Sequence, residues 1–277
     1  MVKNTVGIVW YITASDKDSK NKIDIWTANR LNWIIDDIFR PSTEYCRGDQ
    51  FADKVNEIID EYHIHCFWCP NPLMMNVIFP KKKIKCKFFA TIYDLIPYIM
   101  PIKSWDKFVT EEYMRRIEYL KEERLLCISE ATKHDVQEVM GVQTLTYVTL
   151  AAANDKLFYR KRDFLNSSKE AIIMYTGGFD PRKNIYGAVE AFSRIKNKIT
   201  DLNLKLYIVC KYAQREKDEL DKKLKELKVC EDVIVTGYIS DNDLAGLYQK
   251  ADVFFFPSFY EGFGLPLLEA MLGGAYI

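Results

Sequence analysis

The sequence has no surplus of charge, no long apolar run and no regular cysteine framework, and each absence removes a class of function. Its 39 basic residues are matched by 39 acidic ones over 277 positions. Nucleic-acid binding neutralises phosphates and calls for a basic surplus on one face, so no nucleic-acid partner is expected. Crossing a bilayer as a helix takes about 18 or more consecutive apolar residues. The best candidate, Phe88 to Ile102, is broken by Asp94, Pro97 and Pro101. The N-terminus lacks the apolar core of a secretory signal, which predicts a cytoplasmic protein. Seven scattered cysteines, an odd number, fit a reducing compartment rather than a disulfide framework. His63-Ile64-His65-Cys66-Phe67-Trp68-Cys69 contains a Cys-x-x-Cys, but no second pair follows at zinc spacing, and the segment reads as an apolar strand ending at Pro70. Neither half shows Gly-x-Gly-x-x-Gly leading from strand into helix, which disfavours a dinucleotide oxidoreductase.

What is present is a composition of 48% hydrophobic and 28% charged residues, that of a globular chain long enough for two domains. Apolar runs and helical spacings alternate along it, the pattern of parallel sheets wrapped by helices. In the first half, strands are expected at Thr5–Ile12, His63–Trp68, Lys87–Tyr93, Leu125–Ile128 and Thr144–Leu150. Helices are expected at Asp24–Phe39, Phe51–Tyr62, Lys107–Glu122 and Glu130–Met140, the last capped by Ser129 and stopped by Gly141. The run Lys81-Lys82-Lys83-Ile84-Lys85 reads either as a solvated loop or as a contact with anionic lipid head groups. Ala151–Lys169, weakly periodic and charged, reads as the linker between domains 1–160 and 161–277.

The second half restarts the alternation with strands at Ala171–Thr176, Leu204–Cys210, Val233–Thr236 and Asp252–Phe256, and helices at Gln214–Leu227 and Asp241–Lys250. Ala275 onward reads as the start of another strand, cut short. A doubly wound domain usually has five or six strands, so this domain is expected to be incomplete, with apolar sheet uncovered around Phe254 to Phe256.

Two turns after strands carry chemistry. Ser258-Phe259-Tyr260-Glu261-Gly262-Phe263-Gly264-Leu265-Pro266-Leu267-Leu268-Glu269-Ala270-Met271 places glycines just before a helix that Pro266 can open. A helix N-terminus presents unpaired N–H groups and suits a phosphate, leaving Glu261 and Glu269 to take hydroxyl donors from a sugar and a ribose. Alone, the stretch is equally an ordinary strand-turn-helix corner with surface glutamates. Gly177-Gly178-Phe179-Asp180-Pro181-Arg182-Lys183-Asn184 is the second turn, with Asp180 as cap and Pro181 opening the helix. Arg182 and Lys183 then stand at a helix N-terminus, where the macrodipole disfavours positive charge and an anion between them would remove the conflict. Exposed basic residues on a turn are the plainer reading of either residue alone. Both turns stand at strand C-termini of one sheet, where open α/β sheets bind ligands.

Together with Val235 to Ser240, Ile128 to Thr132 and Tyr93 to Pro97, these two stretches resemble glycosyltransferase family 4, from about Tyr62 onward. The resemblance implies a GT-B fold, two Rossmann-like domains facing a cleft, with the second incomplete here. It implies a retaining transferase that moves a sugar from a nucleotide-diphosphate sugar to a glycan or glycoconjugate acceptor. Arg182 and Lys183 would hold the diphosphate, Glu261 the sugar hydroxyls and Glu269 the ribose. Gly177, Gly178, Gly262, Phe263, Gly264 and Leu265 would line the donor, Gly237 or its neighbours the base, and Tyr93 and Asp94 the acceptor or sugar side. No metal and no cofactor are expected, because the two cations would carry the leaving diphosphate's charge.

The sequence departs from the family's pattern in three places. Thr13–Lys22 has no glycine where a glycine-rich loop is usual, Tyr93 stands where many members have His, and the chain ends soon after Glu269. The last departure leaves an inactive nucleotide-binding module, or a chain completed by a complementing C-terminal partner, as the competing readings. Contact with the inner membrane face is a further expectation.

Overall fold

The computed structural model describes residues 48–75, 79–100, 105–142, 145–159 and 170–277. The strand at Thr5–Ile12, the helix at Asp24–Phe39 and the glycine-free stretch Thr13–Lys22 lie outside the described residues. The chain divides into two compact units, Met1–Leu150 and Ala151–Ile277.

In the first unit, β1 (Cys66–Cys69), β2 (Lys87–Ile92), β3 (Arg124–Cys127) and β4 (Thr146–Val148) form one parallel sheet in chain order. The helix before it, α1 (Gly48–Tyr62), presents Phe51, Ala52, Val55, Ile58 and Ile59, buried at helical spacing. They share a core with Phe67, Phe88, Ala90 and Ile92 of the strands. After β2 come a short helix, α2 (Ile96–Ile99), and α3 (Lys107–Leu120), which Asp106 caps by accepting from the Val109 N–H at 2.8 Å. Ser129 caps α4 (Glu130–Glu138) through the Thr132 N–H at 2.9 Å, as its sequence position indicated. Strand β1 starts three residues later than expected, because His63 turns the chain at φ 52° and the Ile64 N–H bonds back to Ile59.

Two features of this unit correct or refine the sequence reading. The lysine run is matched by neighbouring acids: Lys82 with Asp53 at 2.6 Å, Lys83 with Glu122 at 2.7 Å, and Lys85 with Asp60. Much of its charge is thus committed within the chain, a poor basis for lipid attraction. The Cys-x-x-Cys falls on β1, where burial pushes the Cys69 thiol up to about 12, the opposite of a reactive thiolate.

In the second unit the parallel sheet is ordered β7-β6-β5-β8, comprising β5 (Glu170–Thr176), β6 (Asn203–Val209), β7 (Val233–Val235) and β8 (Val253–Phe255). Side chains alternate faces along a strand, and both faces here are covered. Ile173 and Tyr175 of β5 pack with α6 (Ile185–Lys196) and α7 (Gln214–Glu226), whereas Met174 joins Phe254, Tyr248 and Ala270 on the other face. The uncovered sheet expected around Phe254 is therefore not found. Phe254 is 1% exposed, beneath Tyr248 of α8 (Asp241–Lys250), and Phe158 closes the same cluster. Phe158 belongs to α5 (Asp155–Phe158), a short helix inside the segment read as linker. The expected further strand is present as one bridge, Tyr276 beside Val253.

The last helix, α9 (Leu265–Gly273), comes very close to α8 at its end. A Cβ on Gly273 would stand 2.7 Å from the Tyr248 carbonyl oxygen and 2.8 Å from its carbon, both backbone atoms that cannot swing away. Gly273→Ala is expected to cost about 1–3 kcal/mol through overpacking, read as a lower denaturant midpoint. An unchanged midpoint at unchanged slope would show that the helices separate freely.

Candidate functional site

The order β7-β6-β5-β8 contains a reversal. The chain steps from β5 outward to β6 and β7, then returns to the other side of β5 with β8. The C-terminal ends of β5 and β8 lie side by side at that point, the place in an open α/β sheet where ligands bind. Both glycine-containing turns of the sequence emerge there, and β5 and β8 are directly paired, Tyr175 beside Phe255.

Backbone and side-chain bonds stitch the two loops together. The Phe259 N–H donates to the Arg182 carbonyl at 2.8 Å, and Asn184 Nδ2 to the Pro257 carbonyl at 3.2 Å. Below them the buried Tyr175 hydroxyl donates towards the Lys183 carbonyl at 3.2 Å. The local fold differs from the expected cap. Asp180 and Pro181 open only a three-residue 3-10 turn, Pro181–Lys183. The α-helix starts after Asn184, which sits in the left-handed region at φ 55° and accepts from the Gly187 N–H. Asn tolerates that conformation and caps well, so the signal was in the sequence.

Arg182 and Lys183 converge on one carboxylate. Arg182 Nη1 lies 2.9 Å from Glu261 Oε2, and Lys183 Nζ 2.5 Å from Glu261 Oε1. Arg182 also donates to the Tyr260 carbonyl at 3.1 Å, and Lys183 Nζ stands 5.8 Å over the Phe256 ring. In this structure the Glu261 carboxylate supplies the anion that the two cations call for. Burial would raise the Glu261 carboxyl, but hydrogen bonds from Lys183 and Ser258 and the charges of Lys183 and Arg182 outweigh it and hold the group below its usual range. Sequence spacing gave no sign of this pairing or of Ser258's part in it.

Gly264 begins α9 at φ 89°, a conformation that disfavours any side chain, and Pro266 takes the second helical position rather than the first. Gly262 is buried and Phe263 half-buried, while Leu265 is exposed at the head of the helix. Gly177 and Gly178 follow β5 directly, and no atom beyond the chain neighbours lies within 4 Å of where a Gly178 Cβ would stand. Gly237 follows β7 at φ 73°, and the Tyr212 ring lies 3.7 Å from where a Gly237 Cβ would stand.

Glu269 is the fifth residue of α9, about one turn from its start. Burial raises its carboxyl; a hydrogen bond from Tyr248 opposes that, and Asp241 adds to the rise. The Tyr248 hydroxyl also lies 3.3 Å from Thr176 Oγ1, which links Glu269 to the end of β5. Tyr248 and Thr176 were not singled out from sequence; a tyrosine at helical core spacing carries no separate signal. Tyr93 and Asp94 follow β2 in the first unit. Tyr93 is 46% exposed, with its carbonyl accepting from Thr132, and Asp94 accepts from the Ile96 N–H at 2.9 Å.

Among the described residues, no group of three His, Cys, Asp or Glu is placed to hold a metal ion. The triplet Asp241-Asn242-Asp243 instead opens α8, where the Asp243 N–H donates to Ser240 Oγ. No helix among them is long and apolar enough to cross a membrane.

Residues 159–276 match the family described as "Glycosyl transferases group 1". The chain is 28% identical over 213 residues to the serotype-specific mannosyltransferase WbdA of Escherichia coli, a match covering 72% of this chain and 26% of that protein. The chain thus spans about a quarter of the length of the first curated relatives it matches. Among solved structures, sucrose-phosphate synthase from Thermosynechococcus elongatus superposes with a TM-score of 0.61 at 23% identity, over 82% of this chain and 58% of that one. Anabaena HepE in complex with UDP-glucose gives 0.59 at 14% identity, over 82% and 62%. The chain has the GT-B fold, and its residues 159–276 are similar to the glycosyl transferases group 1 family.

Proposed function

We propose that the chain is a retaining, family 4 glycosyltransferase that moves a sugar from a nucleotide-diphosphate sugar to a glycan or glycoconjugate acceptor. The observation that carries this reading is the convergence of Arg182, Lys183 and Glu261 at the sheet's reversal point, beside the head of α9. Two forked or mobile cations and a helix N-terminus together suit a diphosphate. Glu269, oriented by Tyr248, takes the ribose hydroxyls, and the loop around Gly237 lines the base. Tyr93 and Asp94 serve the acceptor or sugar side. The similarity to WbdA makes mannose the first sugar to try, and HepE's UDP-glucose complex supports a nucleotide-sugar donor.

In this mechanism the bond from the anomeric carbon to the diphosphate breaks as negative charge grows on the leaving oxygens. Arg182 and Lys183 stabilise that charge, and no metal is needed for it. The acceptor hydroxyl attacks from the same face and gives its proton to the departing phosphate, which preserves the anomeric configuration. Glu261 positions the sugar. The protein works at the cytoplasmic side.

Thermal shift and turnover with a panel of UDP- and GDP-linked sugars test the reading. Stabilisation by a nucleotide together with release of free nucleotide diphosphate in the presence of acceptor is expected. Stabilisation without turnover would favour a nucleotide-binding module, and no response to any nucleotide would refute both.

A further inference from the structure

A carboxylate and a diphosphate draw on the same donors, and here the carboxylate has them. Glu261 bridges Arg182 and Lys183 with one oxygen each, at 2.9 and 2.5 Å, and the three side chains are 19%, 15% and 18% exposed. Two positive charges thus meet one shielded carboxylate, with the half-exposed Asp180 beside Arg182. Charge-assisted bonds of this kind are short and strong, and phosphate oxygens satisfy them as well as carboxylate oxygens do. We propose that Glu261 is a built-in stand-in for the diphosphate: an arriving donor takes Arg182 and Lys183 from the carboxylate, and the carboxylate, once released, turns to the sugar hydroxyls. This rests on the nucleotide-sugar reading above.

Three features make the exchange local. The loops carrying the three residues are held to each other by the Phe259-to-Arg182 and Asn184-to-Pro257 bonds, neither of which involves the carboxylate. Losing the ion pairs therefore leaves the loops joined, and one side chain has to rotate. Arg182 Nε is buried and makes no hydrogen bond, although Asp180 Oδ2 lies 3.3 Å away, so the guanidinium keeps a donor in reserve for a larger anion. A diphosphate also carries more negative charge than a single carboxylate and outcompetes it for two cations.

The exchange has a cost that can be read in binding. A ligand whose site is open for a fraction of the time binds with an apparent dissociation constant raised by the inverse of that fraction. Neutralising the stand-in while keeping its shape should therefore strengthen diphosphate binding, the opposite of what removing an ordinary contact residue does. It also predicts that Arg182 and Lys183 remain shielded partners, with no bare charge, until a donor arrives.

Calorimetric titration of the whole chain and of Glu261→Gln with pyrophosphate, UDP and GDP tests this. The variant is expected to bind pyrophosphate, and whichever nucleotide the parent prefers, about tenfold tighter. It should melt lower than the parent in plain buffer and gain more from added pyrophosphate. Glu261→Asp, too short to bridge both cations, serves if the glutamine variant folds poorly, and should shift binding in the same direction. Equal or weaker pyrophosphate binding by a folded variant, with the parent binding normally, would overturn the exchange. Failure of parent and variants alike to bind pyrophosphate, UDP or GDP would instead overturn the nucleotide-sugar reading on which it rests.

Discussion

Arg182→Ala and Lys183→Ala are each expected to lower sugar transfer by about 100-fold or more, the scale on which single preorganised charge-stabilising donors act. The loss should fall on nucleotide diphosphates and leave nucleoside affinity nearly unchanged, because the two side chains gather at the loop that follows β5, while Glu269, proposed for the ribose, stands on a different element, α9. The two substitutions should differ in a secondary way. Arg182 also holds the Tyr260 carbonyl at 3.1 Å, so its loss loosens the loop that carries Glu261, whereas Lys183 makes its contact through a single nitrogen. Arg182→Lys keeps the charge and loses the fork, and should recover only part of the rate. Nucleotide, nucleoside and turnover measurements on the three variants separate these effects. Equal losses for nucleoside and nucleotide would remove both residues from the diphosphate role.

Arg116→Ala is expected to destabilise the first unit by about 3–5 kcal/mol, the cost of breaking a buried charge pair by removing one partner. Arg116 is 4% exposed and buried among donors' targets: Glu112 Oε1 at 2.9 Å and the carbonyls of Pro72 and Met74, each at 2.9 Å. Its guanidinium also lies 5.3 Å over the Phe79 ring. One side chain on α3 thereby fastens the connection between β1 and β2, whose described residues form no helix or strand. Burial would raise the Glu112 carboxyl, but hydrogen bonds and charge from Arg115 and Arg116 bring it down from 4.5 to about 2. A folded value below the unfolded one means that the contribution is complete above pH 4.5 and drains away as the pH falls towards about 2. The stability gap between parent and variant should therefore narrow from neutral pH to about pH 3, as read from denaturant midpoints. A gap that stays constant over that range would mean that the side chain acts through packing alone.

Repeating local patterns made most of the second unit readable. Strand β6 and helices α7 and α8 fall within about a residue or two of their expected bounds, because unbroken apolar runs and helical spacing are local properties. The same holds for the Ser129 cap. What sequence did not reveal were events that join distant segments. The sheet around Phe254 to Phe256 was expected to be uncovered because the domain has fewer strands than usual, and nothing local to Phe254 predicts that Phe158, from a segment of weak periodicity, would fold back beside Tyr248. The acids that answer the lysine run lie on α1 and just after α3, out of reach of any window around Lys81 to Lys85. At the site, the residue types and the loops were legible from glycines, Pro181 and the paired cations. Their mutual arrangement was not, since the bond between Lys183 and Glu261 spans 78 residues. The start of α6 was misjudged for a smaller reason: Asp-Pro is a strong opening signal, and it was satisfied by a single 3-10 turn before Asn184 took over.

The reversal in strand order also dictates a timetable. Synthesis runs from β5 through β6 and β7 before β8 exists, so the cationic loop leaves the ribosome 78 residues ahead of its carboxylate. At about 5–20 residues per second that interval lasts roughly 4–16 s. Throughout it the nascent β5 has one open edge, and Arg182 and Lys183 are without their eventual anion. The cationic half of the site is thus made before the carboxylate half, and a ribosome halted before Glu261 would display it as a sticky, cationic half-site.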